Sequence, residues 1–150
     1  MKNSFALQAL IDLAQTRTDD AAKRLATLLS TEQEGHNKLA LLAQYRDEYQ
    51  QRFMDAARTG ISREEWHNYN LFLDRLDQAV EHQQKVVDVS RQRTAAGQED
   101  WRHQRNRLKA FDTLSQRQAQ AAQAQEAKRE QKQLDEHSAK LFASQGGEGN

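Results

Sequence analysis

The stretch Asp55-Ala56-Ala57-Arg58-Thr59-Gly60-Ile61-Ser62-Arg63-Glu64-Glu65-Trp66 decides the fold. Gly60 sits where a helix would close on a left-handed residue, which glycine adopts without steric cost. Three residues separate Ser62 from Glu65, the spacing of a capping box that satisfies orphan amides at a helix start. Ile61 before the cap and Trp66 at the fourth helical position have the spacing of a hydrophobic staple. One helix therefore ends and another begins within a few residues. The chain contains no proline, so nothing else in it interrupts a helix as strongly.

Outward from that turn the apolar residues recur in steps of three and four. On the N-terminal side, the positions from Ser4 and Leu7 to Phe53 and Ala56 are apolar at eleven of sixteen places. On the C-terminal side, the series from Trp66 and Tyr69 to Leu108 and Phe111 is apolar at nine of fourteen. This is a coiled-coil seam on both helices. A tight turn near 60 makes the helices antiparallel, with facing residues whose numbers sum to roughly 122. Leu42 then meets Val80, Tyr49 meets Leu73, Gly35 meets Val87 and Ala21 meets Trp101. The fold expected is an all-α, two-helix antiparallel coiled-coil hairpin forming a single domain over 1–150. Its parts are helix 1 over about 4–58, a turn at 59–62, helix 2 over about 63–143 and a disordered polar tail at 144–150. The first helix, at 1.5 Å per residue, would be roughly 80 Å long. Between Ser90 and Gly97 the seam is polar or small, and a soft middle is expected there. From Gln118 to Gln133 the sequence is almost all Gln, Ala, Glu, Lys and Arg: helix-forming, with little to pack. Leu134 and Leu141, seven apart, leave a small apolar stripe on that otherwise polar stretch.

Composition agrees with helices rather than a globule. The 150 residues hold 22 Lys+Arg against 22 Asp+Glu, so net charge is zero. Leu, Ile, Val and Phe number only 27, too few for a large core, while 21 alanines and 20 glutamines favour helix. Disorder of the whole chain would pair that low apolar content with a high net charge, which is absent. No cysteine is present, so neither disulfides nor thiolate metal sites arise. The N-terminus does not read as a signal peptide, and the longest apolar run, Leu39 to Ala43, is far short of a membrane span.

Catalytic and metal motifs are missing. Glu64-x-x-His67 has the spacing of one di-iron bundle motif, but that chemistry needs two such motifs and two further glutamates. At a helix start Glu64 more simply complements the dipole. His36, His82, His103 and His137 lie too far apart to converge in a hairpin. There is no H-E-x-x-H, Walker loop or G-x-S-x-G. No enzyme and no cofactor are expected. Arg102, Arg105, Arg107 and Lys109 beside Trp101 form a basic run, but Glu99, Asp100 and Asp112 flank it. Contact with an acidic protein surface accounts for it better than nucleic acid does.

Tyr45 and Phe72 each lie one residue off the seam, facing each other on a flank that also carries Leu42, Tyr49, Leu76 and Ala79. Two rings there either thicken the seam or form a protein-docking face. Coiled-coil flanks normally carry Glu and Lys at these places, which favours docking.

The chain resembles the flagellar FliJ family along nearly its whole length. The resemblance rests on Leu7-x-x-Leu10-x-Asp12-Leu13-Ala14, Tyr45-x-x-Glu48-Tyr49 and Trp101-Arg102. Above all it rests on Gly60-Ile61-x-x-x-x-Trp66-x-Asn68-Tyr69-x-x-Phe72-x-x-x-Leu76-x-x-Ala79. The resemblance implies a cytoplasmic, non-enzymatic flagellar export factor at the cytoplasmic face of the inner membrane, with a fold similar to the coiled-coil stalk of the rotary ATPase γ subunit. Its implied partners are the flagellar export ATPase, the cytoplasmic part of the membrane export-gate protein, and export chaperones whose reuse it promotes. Nucleic acid and direct membrane insertion are not among them. The residues matching the family's gate-binding patch are Leu42, Tyr45, Tyr49, Phe72, Leu76 and Ala79, with Lys38 and Gln83 one step beyond. The competing readings are a generic adaptor coiled coil that dimerises through its tail, and a general secretion chaperone.

Overall fold

In the computed structural model, which describes residues 2–147, the chain forms two helices, α1 (Lys2–Thr59) and α2 (Arg63–Gly147). They pack against each other as an all-α helical hairpin, and the described residues contain no strand. The turn forms as its residues dictate. Gly60 has φ +94°, the left-handed value at which a side chain is strained. Thr59 closes the end of α1 by donating its hydroxyl to the Ala56 carbonyl at 3.0 Å. Ser62 caps α2: its Oγ accepts the Glu65 amide at 3.1 Å, and its carbonyl accepts the Trp66 amide at 3.0 Å. Glu65 does not return the bond to the Ser62 amide, so half of the capping box forms.

α2 continues to Gly147, past the point where a disordered tail was expected to begin at 144. Gln, Ala and Ser keep good helix propensity through that segment, and no proline or paired glycine interrupts it before Gly146. Residues 148–150 of that expected tail lie outside the described residues.

Contacts divide the chain into two compact units, one made of residues 17–104 and one of residues 1–16 with 105–150. Within the first, side chains meet across the seam close to the expected register. Phe53 meets Tyr69 with the rings tilted, Arg46 pairs with Asp77, and Thr94 reaches the Leu28 carbonyl. A Cβ built on Gly35 would touch Val87 at 3.5 Å. Within the polar stretch 90–97, Thr94 is buried and Ser90 and Gly97 are half-buried. Val87 is fully buried and Ala21 nearly so. Gln83 and Thr94 are the polar residues enclosed beside Val87. Both are satisfied: Gln83 Nε2 donates to the Gly35 carbonyl at 3.1 Å, and Thr94 Oγ1 donates to the Ser90 carbonyl at 3.0 Å. The absence of a side chain at 35 and 97 leaves room for Val87 in one layer and for Leu28 and Leu25 in the other. A buried valine contributes about 1.5–3 kcal/mol, so this short stretch anchors the unit despite its polar appearance.

In the second unit, Leu7 and Ala14 of α1 are buried, while Leu108 and Phe111 of α2 are half-buried. Ser4 and Leu7 share a shallow groove with Ser115, Gln118 and Ala122. From Gln116 to Gly146 every described residue of α2 is exposed, including Leu134 and Leu141. Beyond Gln125, the last residue of that groove, the segment has a helix's backbone with every described side chain exposed.

Candidate functional site: an aromatic groove beside the turn

Four rings interlock across the seam in the unit formed by residues 17–104. Phe53 and Tyr49 come from α1, Tyr69 and Phe72 from α2. The Tyr49 ring centroid lies 4.5 Å from that of Phe72 and 5.3 Å from that of Tyr69, and Phe53 lies 5.3 Å from Tyr69. The planes are tilted by 48–53°, in the range where ring edges meet ring faces favourably. The seam alternation explains the order. Phe53 and Tyr49 are successive seam positions of α1, and Tyr69 occupies the matching place on α2.

On the flank of this ladder lies a groove of about 330 Å³ lined by Tyr45, Glu48, Tyr49, Arg52, Phe72 and Leu76. Tyr49 and Leu76 are half-buried and form its floor. Tyr45 at 51% exposed and Phe72 at 43% form its walls. Those exposures bear on the two readings of these rings: each keeps about half of its surface in water, and Phe72 also packs on the seam residue Tyr49.

The structure thus gathers four of the eight residues assigned from the sequence, Tyr45, Tyr49, Phe72 and Leu76, into one concave surface. Leu42 and Ala79 are half-buried and lie outside the groove lining, and Lys38 is exposed. Gln83 is 4% exposed and turns into the seam to bind Gly35, so its side chain is not presented at the surface. The sequence reading left out Glu48 and Arg52. Arg52 lies one heptad beyond Tyr45, on the same flank, and that step was the signal that could have found it. Glu48 stands four residues before Arg52, on the same side of α1. At the tip, Ile61, Arg63, Trp66 and His67 line a second, more open depression, with Trp66 half-exposed.

The model of the family described as flagellar FliJ protein matches residues 2–147. The chain belongs to the flagellar FliJ family. It is similar to the flagellar FliJ protein of Salmonella typhi, 32% identical over 136 residues, covering 91% of this chain and 92% of that one. The corresponding protein of Escherichia coli K12 is 31% identical over the same length and shares. That of Bacillus subtilis 168 is 24% identical over 146 residues, covering 97% of this chain and 99% of its own. Membership of the FliJ family carries a role in flagellar export for a helical, structural component. No helix among the described residues of this FliJ-family chain is long and apolar enough to cross a membrane.

Proposed function

We propose that this FliJ-family chain is a non-catalytic export factor that links the flagellar export ATPase to the membrane export-gate protein and helps recycle export chaperones. It works at the cytoplasmic face of the inner membrane, at the flagellar base. The groove walled by Tyr45 and Phe72 is the surface offered to the cytoplasmic part of the gate protein, with Leu42, Ala79 and Lys38 continuing the same flank. The exposed part of α2 beyond residue 118 is the segment offered to the ATPase. One observation carries the gate reading: two aromatic walls, about half-exposed, stand over a packed aromatic floor in a chain otherwise rich in Gln, Lys and Glu. Aromatic side chains held rigid from beneath lose little entropy on binding, which is what makes them dominant in interfaces.

The test is the double variant Tyr45→Ala with Phe72→Ala, measured for binding to the purified cytoplasmic part of the gate protein. Binding is expected to weaken by about 2 kcal/mol or more, the scale of an interface hot spot. Helicity by circular dichroism stays unchanged. Loss of helicity would instead make both rings part of the fold, and unchanged binding would remove the groove from the interface.

A further inference from the structure

Three arginines occur between Arg46 and the end of α1, and the structure treats them differently. Arg46 is ion-paired with Asp77 across the seam and lies 3.8 Å from Asp47. Arg58 lies 3.9 Å from Asp55, one turn back on its own helix. Arg52 makes no ion pair or hydrogen bond among the described residues, and it alone of the three lines the aromatic groove. The carboxylates within its reach are engaged or turned elsewhere. Glu48 accepts a hydrogen bond from Gln44 Nε2 at 3.0 Å, and Asp55 accepts one from Gln51 at 3.1 Å besides facing Arg58. Glu65 occupies the place across the seam that a ladder of flanking charges would pair with Arg52. No bond joins the two. An uncompensated guanidinium therefore stands at the rim of an apolar, aromatic-walled depression whose other charged rim residue, Glu48, is tethered along its own helix.

We infer that Arg52 is a specificity-determining residue of this groove. The occupant is a partner segment that inserts an aromatic or branched aliphatic side chain between Tyr45 and Phe72 and presents a carboxylate to Arg52. This inference rests on the groove being the docking surface proposed above. The apolar insertion supplies most of the affinity. The guanidinium fork fixes orientation by pairing with a planar carboxylate in two parallel hydrogen bonds. Because Arg52 is solvated before binding and becomes partly dehydrated beneath the partner, a wrong residue opposite it is penalised more than the right one is rewarded. Charge at such a rim also steers encounter, so association carries a salt dependence that the aromatic walls alone would not give.

The experiment compares Arg52→Glu, Arg52→Gln and Arg52→Lys with the unmodified chain and with the Tyr45→Ala, Phe72→Ala double variant. The probe is the cytoplasmic part of the gate protein, at low and high salt. Arg52→Glu is expected to weaken binding by about tenfold or more. Arg52→Gln falls between, Arg52→Lys retains part of the affinity, the neutral variant loses the salt dependence and the reversed variant inverts its sign. Reversing one acidic residue on the partner restores binding to Arg52→Glu. Helicity controls show that each variant remains folded. If the aromatic double variant loses binding while Arg52→Glu binds normally at both salt concentrations, the groove stands and Arg52 has no part in it. If neither change affects binding, the groove is not the docking surface and both statements fall.

Discussion

At the scale of single residues, two glycines in the seam look alike in sequence and differ in the space around them. A Cβ on Gly35 would meet Val87 at 3.5 Å and Gln83 at 3.7 Å, ordinary contact distances. A Cβ on Gly97 would fall 2.6 Å from the Leu28 Cδ1 atom, with Leu25 at 3.7 Å. Alanine is better in a helix than glycine by up to about 1 kcal/mol, and at Gly35 nothing opposes that gain. Gly35→Ala is therefore expected to raise the thermal midpoint. Gly97→Val forces Leu28 out of its place and is expected to destabilise by about 1–3 kcal/mol, the usual cost of overpacking. Thermal melts followed by circular dichroism check both signs. Equal responses would mean that the helices do not approach as closely at 97 as the structure has them. The facing of Gly35 and Val87 was legible in the sequence, whereas the close approach of Leu28 to Gly97 was not.

At the scale of the two helices, the inter-helix contacts are a mixture of aromatic, aliphatic and polar layers. Sequence periodicity located all of them but misjudged the polar ones. Thr94 fell in the stretch expected to be soft, and Gln83 was placed on the outer flank. They are filled layers, because each hydroxyl or amide finds a backbone carbonyl. Periodicity counts residue types and cannot show whether a polar side chain has a partner. Flanking charges add one clasp with a pH dependence. Arg24 donates to Asp100 at 3.0 Å, and that hydrogen bond, followed by one from Gln104, holds the Asp100 carboxyl below its ordinary value of 3.8. A carboxyl with a lowered folded-state pKa stabilises the fold above its unfolded value and stops doing so as pH falls through the folded one. Asp100→Asn is thus expected to flatten the stability profile below about pH 4 and leave its dependence above that range unchanged. The contribution is small, since both partners are well exposed and screened by water. Acid titration of the melting midpoint for the two proteins measures it. A gap between the two proteins that stays the same on acidification would refute the assignment.

For the whole molecule, the distribution of burial separates what is needed to fold from what is free to bind. From Gln116 to Gly146 α2 buries no described residue, so that segment contributes little packing energy. Deleting residues 118–150 is expected to leave the rest of the hairpin folded, with a thermal midpoint close to that of the full chain. In the proposed function the same deletion weakens binding to the export ATPase. Calorimetric titration against the purified ATPase decides the second point, and unchanged affinity would assign that contact to another part of the chain. The composition of 118–133 already showed helix propensity without apolar anchors. That the helix runs on to Gly147 was not legible, because Ser144-Gln145-Gly146-Gly147 reads as readily as a frayed end.

The sequence by itself determined the helices, the single reversal at Gly60 and the facing register, since backbone conformation and seven-residue periodicity are local properties. It also carried the family, through the Gly60 to Ala79 pattern, and it placed Tyr45 and Phe72 on one flank. Only the tertiary structure decided which flanking residues make a surface. Gln83 went into the seam and Arg52 joined the rim because a side chain's exposure depends on what the opposite helix leaves vacant. Spacing along one helix cannot report the width of that gap, and it is the gap that makes a groove.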